Sequence, residues 1–262
     1  MNTICLRTAA LLGLALAALL LSGCVSMRYR MAPQGTPPPV PLHLAAAQPP
    51  VEAVLNTVII YDGPGSWKRR AFWDEYVITI HNQGEQPVTI LSALLTDYAD
   101  NVHSPGIDPW ALEQESKTLE QKFRDDNVAF LRYGGASVAI LGVGMGSAVA
   151  ADGGIMAAGT AAGATLATAT LVAVPAYVIT VAVINSRNKA AVTAEFNRRR
   201  LPDFPLVLAP GETRSGSLFF PMVPNPRSLR LLWTIGETGG SVVLPLESLH
   251  GLHVKAPASA AR

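Results

Sequence analysis

Cysteine is almost absent from this 262-residue chain, and both of its cysteines, Cys5 and Cys24, lie near the N-terminus. The rest of the chain therefore contains no partner for a disulfide, and a folded domain must take its stability from an apolar core. Hydrophobic residues make up 49% of the sequence, which is enough for such a core. A chain of this length fits one large domain or two.

The chain also lacks an excess of either charge. The formal net charge is +1, and the first 23 residues carry a single charged residue, Arg7, so the remainder is formally neutral. A neutral chain offers little attraction to a polyanion, which argues against nucleic acid as a partner.

Motifs of catalysis and cofactor binding are missing as well. There is no GxSxG elbow, no phosphate-loop lysine and no thiol beyond Cys24. His250 and His253 form an HGLH pattern without further ligands, which is more typical of solvated or core histidines than of a metal site. The polar loop 97–108 matches no calcium-loop spacing. We therefore predict a protein without enzymatic activity, cofactor or metal.

The glycine-rich stretch VAILGVGMGSAVA (138–150) imitates a dinucleotide-binding loop. After Gly142 and Gly144, however, the third glycine position holds Ser147, and no acidic residue follows about 20 residues further on. A dinucleotide site is therefore not predicted.

The N-terminus has the layout of a secretory signal peptide, with Arg7 followed by an apolar run from Ala9 to Leu21. The run ends in Leu-Ser-Gly-Cys, which resembles the lipobox of bacterial lipoproteins. The resemblance implies that residues 1–23 are removed, that Cys24 carries lipid, and that the protein is lipid-anchored in the cell envelope. Val25 in place of aspartate favours the outer membrane, facing the periplasm. The alternative is an ordinary signal peptide with a chance cysteine.

Residues 24–50 are rich in proline, which lacks a backbone donor and favours extended chain. We interpret them as a tether that could hold a domain several tens of Å from a bilayer, at about 3.1 Å per residue. A docked N-terminal arm is the alternative.

Residues 51–107 and 201–255 both have the pattern of β-strands. In the first range, Tyr76, Ile78 and Ile80 alternate with polar or smaller residues, as expected of a half-buried strand. Three strands are predicted there. Four more, separated by turn residues, are centred on Val207, 218–220, 229–233 and 242–246.

Seven strands in about 110 residues suit an immunoglobulin-like β-sandwich. LAPGETRSGSLFFP resembles a stretch found in many exported immunoglobulin-like modules, but only in general style. Three strands alone would leave an edge and half a core exposed. We therefore predict an α+β fold in which one sandwich is interrupted by residues 108–200, with 256–262 as a disordered tail. Two small β units on either side of a membrane hairpin are the alternative.

The interruption is predicted to be a long glycine-rich helical hairpin. Asp108-Pro109 begins a helix whose stripe contains Leu112, Leu119 and Phe123, and Asp152-Gly153-Gly154 marks a turn. The stretches on both sides of that turn are uncharged and long enough for helices that cross a membrane. Glycines at i and i+4 would let the two helices approach closely. These helix-packing glycines are Gly142, Gly146, Gly159 and Gly163.

With Cys24, this hairpin resembles the glycine-zipper outer-membrane lipoproteins of the surface-antigen type. The resemblance implies a hairpin (134–186) that inserts in the membrane or associates with copies of itself. Packing on the β-sandwich in solution is the alternative.

The stretch SWKRRAFWDEY combines basic and aromatic side chains, which suits contact with anionic lipid or a partner. The alternative is an ordinary surface segment whose aromatic rings cap the core. The candidate contact residues are Trp67, Lys68, Arg69, Arg70 and Trp73.

Taken together, these features predict a non-enzymatic outer-membrane lipoprotein with a structural or envelope-assembly role. Its partners would be the membrane, further copies of itself or another envelope protein. The alternative function is a periplasmic binding module, in which the sandwich captures a protein or ligand and the hairpin only packs.

Overall fold

The computed structural model describes residues 27–33, 35–126, 130–135 and 170–254. These residues adopt a β-rich α+β fold. The described helices are α1 (Pro109–Asp125) and α2 (Thr170–Arg199). The strands are β1 (Leu44–Gln48), β2 (Val51–Ile59), β3 (Asp74–Asn82), β4 (Val88–Thr96), β5 (Val102–His103), β6 (Phe130–Gly135), β7 (Leu206–Leu208), β8 (Thr213–Phe220), β9 (Ser228–Ile235), β10 (Thr238–Pro245) and β11 (Leu252–Val254).

The strands form two larger antiparallel sheets and one ribbon. The first sheet has the order β1-β2-β3-β8, and the second has the order β10-β9-β4-β5, with β7 also paired to β4. The ribbon consists of β6 and β11. Strands from the two ends of the chain pair with each other, since Tyr76 lies opposite Leu218 and Leu95 opposite Leu229. Both larger sheets therefore combine residues from before and after the helices.

The core lies where the apolar positions of these strands meet. Tyr76, Ile78 and Ile80 of β3 are fully buried, whereas the alternate residues 77, 79 and 81 are partly exposed, which confirms the predicted alternation. Buried side chains of both larger sheets join in one hydrophobic cluster. Such burial, worth about 25 cal/mol per Å², is the main stabilising term in a domain without disulfides.

Part of the proline-rich stretch is a docked arm. The backbone N–H of Ala32 donates to Trp67 O at 2.8 Å, and that of Leu42 donates to Asn56 O at 2.7 Å. β1 then pairs with β2 along its whole length. The arm is thus fixed to the β domain at residues 31, 32, 42 and 44–48, which is the docked arrangement given above as the alternative to a tether.

Helix α1 begins where the sequence predicts it. The Asp108 carboxylate accepts a hydrogen bond from the Trp110 N–H at 3.1 Å, and Pro109 occupies the first helical position. Leu112 and Phe123 are buried, and Leu119 is partly buried. Unlike the predicted hairpin, the chain then enters a strand, β6, because these residues pair with β11.

The chain divides into two compact units. One comprises Met31–Gly154 and Thr193–Arg262 and contains every described strand; the other comprises Met1–Arg30 and Ile155–Val192. Within the second unit, Val183 and Ile184 of α2 are 44% and 37% exposed. No helix in the described ranges is both long and apolar enough to cross a membrane.

The remainder of the predicted hairpin, 136–169, lies outside the described residues. So do Cys24 and the four glycines predicted to pack the helices, Gly142, Gly146, Gly159 and Gly163.

Candidate functional site

The C-terminal end of α2 is held in an aromatic cluster on the first sheet. The ring of Phe196 is stacked on Phe219 of β8, with centroids 4.0 Å apart and an interplanar angle of 25°. The Trp73 ring meets both of these rings edge-on, at 5.7 and 6.3 Å. We call this cluster and the charged groups beside it the α2 anchor: Trp67, Trp73, Glu75, Phe196, Arg199 and Phe219.

Strand periodicity explains why these residues meet. Glu75 lies directly opposite Phe219 in the β3–β8 register, and Trp73 precedes Glu75 by two positions. Side chains two apart point to the same face of a strand. This face is opposite the one that carries Tyr76 and Ile78 into the hydrophobic cluster, so the α2 anchor forms a second apolar layer.

Glu75 places a buried carboxylate inside the anchor. It accepts hydrogen bonds from Trp67 Nε1 at 2.7 Å and from Ser217 Oγ at 2.6 Å, and Arg199 Nη1 lies 3.5 Å away. A buried charge is costly unless it is paired and hydrogen-bonded. These donors satisfy the carboxylate and tie three segments together.

Arg199 links the anchor to the surface of α2. Its Nε donates to Glu195 at 2.7 Å, and its guanidinium lies 5.4 Å from the centroid of the Trp67 ring. The hydrogen bond from Arg198, together with hydrogen bonding and charge from Arg199, lowers the pKa of Glu195 to about 2. The last turn of α2 is therefore fixed by both rings and ion pairs.

Two interpretations were given for SWKRRAFWDEY: a surface contact segment, or an ordinary segment whose aromatic rings cap the core. The structure corrects the first for two of the five candidate residues, because Lys68 is 1% exposed and Trp73 is 2% exposed, so neither can contact a lipid surface. Trp67, Arg69 and Arg70 are partly exposed. Trp73 packs against Phe196 of α2, which its local sequence does not reveal.

Lys68 organises the turn that leads to the anchor. Its ammonium donates to the carbonyls of Arg69 at 3.3 Å and Arg70 at 3.1 Å, and it lies 4.9 Å from the Trp73 ring centroid. Arg70 has a φ of 51°, and its N–H donates to Asp62. A cation over an aromatic face is favourable where water is excluded, so Lys68 stabilises this turn.

The polar loop after β4 is built around Asp97. Its Oδ1 accepts from the N–H groups of Ala99 and Asn101 at 2.8 and 2.9 Å, and its Oδ2 accepts from the Asn101 side chain at 2.8 Å. Burial raises the pKa of Asp97, but these hydrogen bonds bring it below its ordinary value. Asp108 is used as a helix cap, and Asp100 binds Arg227. In the ranges that the structure describes, no group of acidic, histidine or cysteine side chains is placed to hold a metal.

Of the two histidines in HGLH, His250 is exposed and His253 is fully buried. His253 Nε2 lies 2.9 and 3.1 Å from the carboxylate oxygens of Asp74, and Nδ1 lies 2.9 Å from Leu131 O. The ring is stacked on Phe130 with centroids 5.6 Å apart. His253 thus links β11, β6 and the first residue of β3.

A cleft of about 350 Å³ opens beside β4 and β8. Ile107 at its edge is 67% exposed, and Ser92, Ser217 and Arg200 supply polar groups. Its size is near the lower end of the range for small-ligand pockets, about 300–1,000 Å³.

Comparisons with known proteins gave no match: no protein-family model, no curated protein and no solved structure resembles this chain significantly. Of the α2 anchor, Trp67 and Trp73 stand in the segment that the sequence marks as a candidate contact. Arg199 also carries a sequence signal, because Glu195, Arg198 and Arg199 have the i, i+3 and i+4 spacing of helical ion pairs.

Proposed function

We propose that this protein is a non-catalytic, lipid-anchored outer-membrane protein whose β domain carries a helical element that inserts in the membrane or associates with further copies. Its role is structural, or accessory to envelope assembly. The proposal joins two features: the lipobox that ends in Cys24, and the α2 anchor.

The α2 anchor is the observation that carries the proposal. Apolar packing would be sufficient for a helix whose only role was to cover the sheet. Here the final turn is also fixed by Arg199, which binds both Glu195 and Glu75. The exposed Val183 and Ile184 lie on the same helix, further toward its N-terminus. A firmly held helix end with exposed apolar residues elsewhere suits a platform that presents a helix to a membrane or another copy.

We further infer that the two larger sheets form an immunoglobulin-like sandwich. Residues 108–200, which interrupt this sandwich in the sequence, would contain the glycine-rich hairpin. Support comes from the pairing of β3 with β8 and β4 with β9, and from the shared hydrophobic cluster. Gly142 with Gly146 and Gly159 with Gly163 would supply the close helix contacts.

The hydrogen bonds of two buried acidic side chains support the proposal that the protein is not an enzyme. Glu75 binds Trp67 and Ser217, and Asp97 binds the backbone of its own loop. Both carboxylates therefore serve to fix the structure.

The lipid anchor is tested by metabolic labelling with radioactive palmitate. We expect label on the native chain, none on Cys24→Ser, and normal labelling of the matched control Cys5→Ser. Labelling of the Cys24→Ser variant, or an unlabelled native chain, would contradict the lipoprotein assignment.

The membrane role is tested on a form exported through a cleavable signal with Cys24 replaced. If the hairpin inserts, this form resists alkaline extraction from membranes. If it is extracted but sediments as an oligomer that Gly146→Leu dissociates, self-association is the supported role. A monomer in the soluble fraction would refute both.

A periplasmic binding module is the second candidate, and the cleft beside β4 and β8 favours it. Residues of both larger sheets line this cleft, and the apolar side chain of Ile107 in its lining is exposed to solvent. A photo-crosslinking residue at 107, compared with one at the exposed Val243, tests it in intact cells. A discrete adduct at 107 alone supports binding at the cleft. Equal or absent crosslinking at both positions counts against it.

A further inference from the structure

Both ring nitrogens of His253 face hydrogen-bond acceptors. Nδ1 faces the Leu131 carbonyl, and Nε2 faces the Asp74 carboxylate. Carbonyl and ionised carboxylate oxygens accept hydrogen bonds but cannot donate them. An imidazole satisfies two acceptors only when both nitrogens carry hydrogen, which is its cationic form. A neutral ring would turn a lone pair toward one of the oxygens.

The ribbon of β6 and β11 depends on this ring. A two-stranded ribbon is marginally stable by itself. The β6–β11 pairing is also irregular between Leu252 and Val254. His253 adds a side-chain link to β3 through Asp74, and its ring stacks on Phe130 of β6. The ribbon has further contacts elsewhere, since Phe130 stacks on Phe123 of α1 and Leu252 lies in the hydrophobic core. Loss of the His253 contacts would therefore remove its side-chain link to Asp74 of β3 and weaken its attachment.

Further ionisable side chains of the described residues lie on or next to the strands that meet at His253. On β3, burial and the charge of Asp74 raise the pKa of Tyr76 well above its ordinary value, so Tyr76 stays neutral through the pH range of interest. On β6, Arg132 binds Glu120 of α1 at 3.0 Å, and Glu120 also binds Arg124. Next to β11, His250 is exposed. Asp74 is therefore the charge that acts on His253 directly.

We propose that His253 is a proton-dependent clasp. The protonated ring fastens the β6–β11 ribbon to β3 through Asp74 and Leu131. Loss of its proton weakens this link, so that the ribbon opens more often while the two larger sheets remain folded. The clasp belongs to the β domain and does not depend on the proposed membrane role.

The direction of the pH effect follows from the environment of the ring. Burial disfavours the imidazolium, but the charge of Asp74 and the hydrogen bonds to Asp74 and Leu131 raise the pKa of His253 above its ordinary value. A detached ribbon exposes a histidine with a pKa of about 6.5. The clasp is therefore fully effective below that pH and weakens as pH rises toward the folded-state pKa. Between the two pKa values the opening constant rises about tenfold per pH unit, and above the higher one it levels off.

Hydrogen exchange of the full chain in detergent, measured from pH 6 to 9.5 and corrected for intrinsic exchange, tests the clasp. We expect protection of peptides from β6 and β11 to fall with rising pH, while peptides from β9 keep their protection. His253→Asn should give low and pH-independent protection in the ribbon. Asparagine tolerates the left-handed conformation of His253, φ 59°, better than most residues. His103→Asn is the matched control, because His103 also faces an aspartate, and it should behave like the native chain.

Three results would overturn the clasp: constant ribbon protection in the native chain, a parallel loss of protection in β9, or an unchanged pH response in His253→Asn. If that variant does not fold, the imidazole resonances of native His253 provide a second measurement. Their midpoint must lie above that of an ordinary histidine and coincide with the pH at which ribbon protection levels off. A midpoint at or below the ordinary value would overturn the proposal.

Discussion

Phe196, near the end of α2, is stacked on Phe219 of β8, which lies 23 positions further along the sequence. Both side chains are fully buried. Replacing Phe196 with alanine would leave a cavity between α2 and the first sheet. We expect Phe196→Ala to lower the free energy of unfolding by about 3–5 kcal/mol, measured by urea denaturation. Phe204→Ala, at a partly buried position, is the control and should cost clearly less. Equal losses would show that Phe196 has no special part in holding the helix.

The buried carboxylate of Glu75 gives a second prediction. In Glu75→Gln the amide NH₂ must face either the Trp67 indole or the Arg199 guanidinium, and both of these groups can only donate. We expect a loss of about 1–3 kcal/mol in the free energy of unfolding, because a buried polar group is left unsatisfied. Trp67 fluorescence should change with it. Glu52→Gln, on an exposed contact with Gln83, is the control and should be nearly neutral. A neutral Glu75→Gln would contradict the role assigned to Glu75.

Two adjacent glycines of β10, Gly239 and Gly240, should differ in how much an alanine substitution destabilises the domain. A Cβ at Gly240 would lie 2.3 Å from the Trp233 ring, whereas a Cβ at Gly239 would meet its nearest atom at 3.6 Å. We expect Gly240→Ala to cost about 1–3 kcal/mol through overpacking, and Gly239→Ala to cost far less. Thermal unfolding of the two variants side by side measures the difference. Similar melting temperatures would mean that Trp233 moves aside freely.

The lowered pKa of Asp97 leads us to expect that the β domain loses stability at acidic pH. Its folded-state pKa is lowered by hydrogen bonds from Asn101, Ala99 and His103, which outweigh the effect of burial. The resulting stabilisation is present above the unfolded-state pKa of about 3.9 and is lost as pH falls from there through the folded-state pKa. We expect Asp97→Asn to be less stable than the native chain at pH 6. On acidification it should lose less stability than the native chain does. Urea midpoints between pH 2.5 and 6 measure this.

Asp100→Asn is the control for Asp97, because Asp100 lies on the same loop with a side chain that is largely exposed. It should keep the acid response of the native chain. An Asp97→Asn variant that loses stability in parallel with the native chain would show that other carboxylates govern the acid response.

Strand periodicity made much of the β domain predictable. The alternation of Tyr76, Ile78 and Ile80 identified β3, and turn residues separated β7, β8, β9 and β10. Each of these signals is local. By contrast, β1 and β6 have no alternating pattern, and they are strands because β2 and β11 pair with them. Such pairing depends on tertiary contacts that local sequence does not encode.

The residues of the candidate site were harder to predict for the same reason. Trp67 and Lys68 lie in a basic, aromatic segment, which by composition favours an exposed surface. Lys68 and Trp73 of this segment are nevertheless buried. Trp73 packs edge-on against Phe196, and Lys68 lies near the ring of Trp110, both of which are on helices elsewhere in the sequence. Likewise, the HGLH pattern indicated solvated or core histidines without deciding between them. The pairing of the buried His253 with Asp74 joins residues 179 positions apart.

The docked N-terminal arm limits how far the β domain can move from its proposed anchor. Because Met31 forms a bridge with Lys68, the chain between Cys24 and the fixed arm spans only residues 25–30. Even fully extended, this linker spans about 25 Å. A lipid on Cys24 would therefore confine the domain to the immediate vicinity of the bilayer surface. Any partner of a domain anchored in this way would have to approach within the same thin layer beside the membrane.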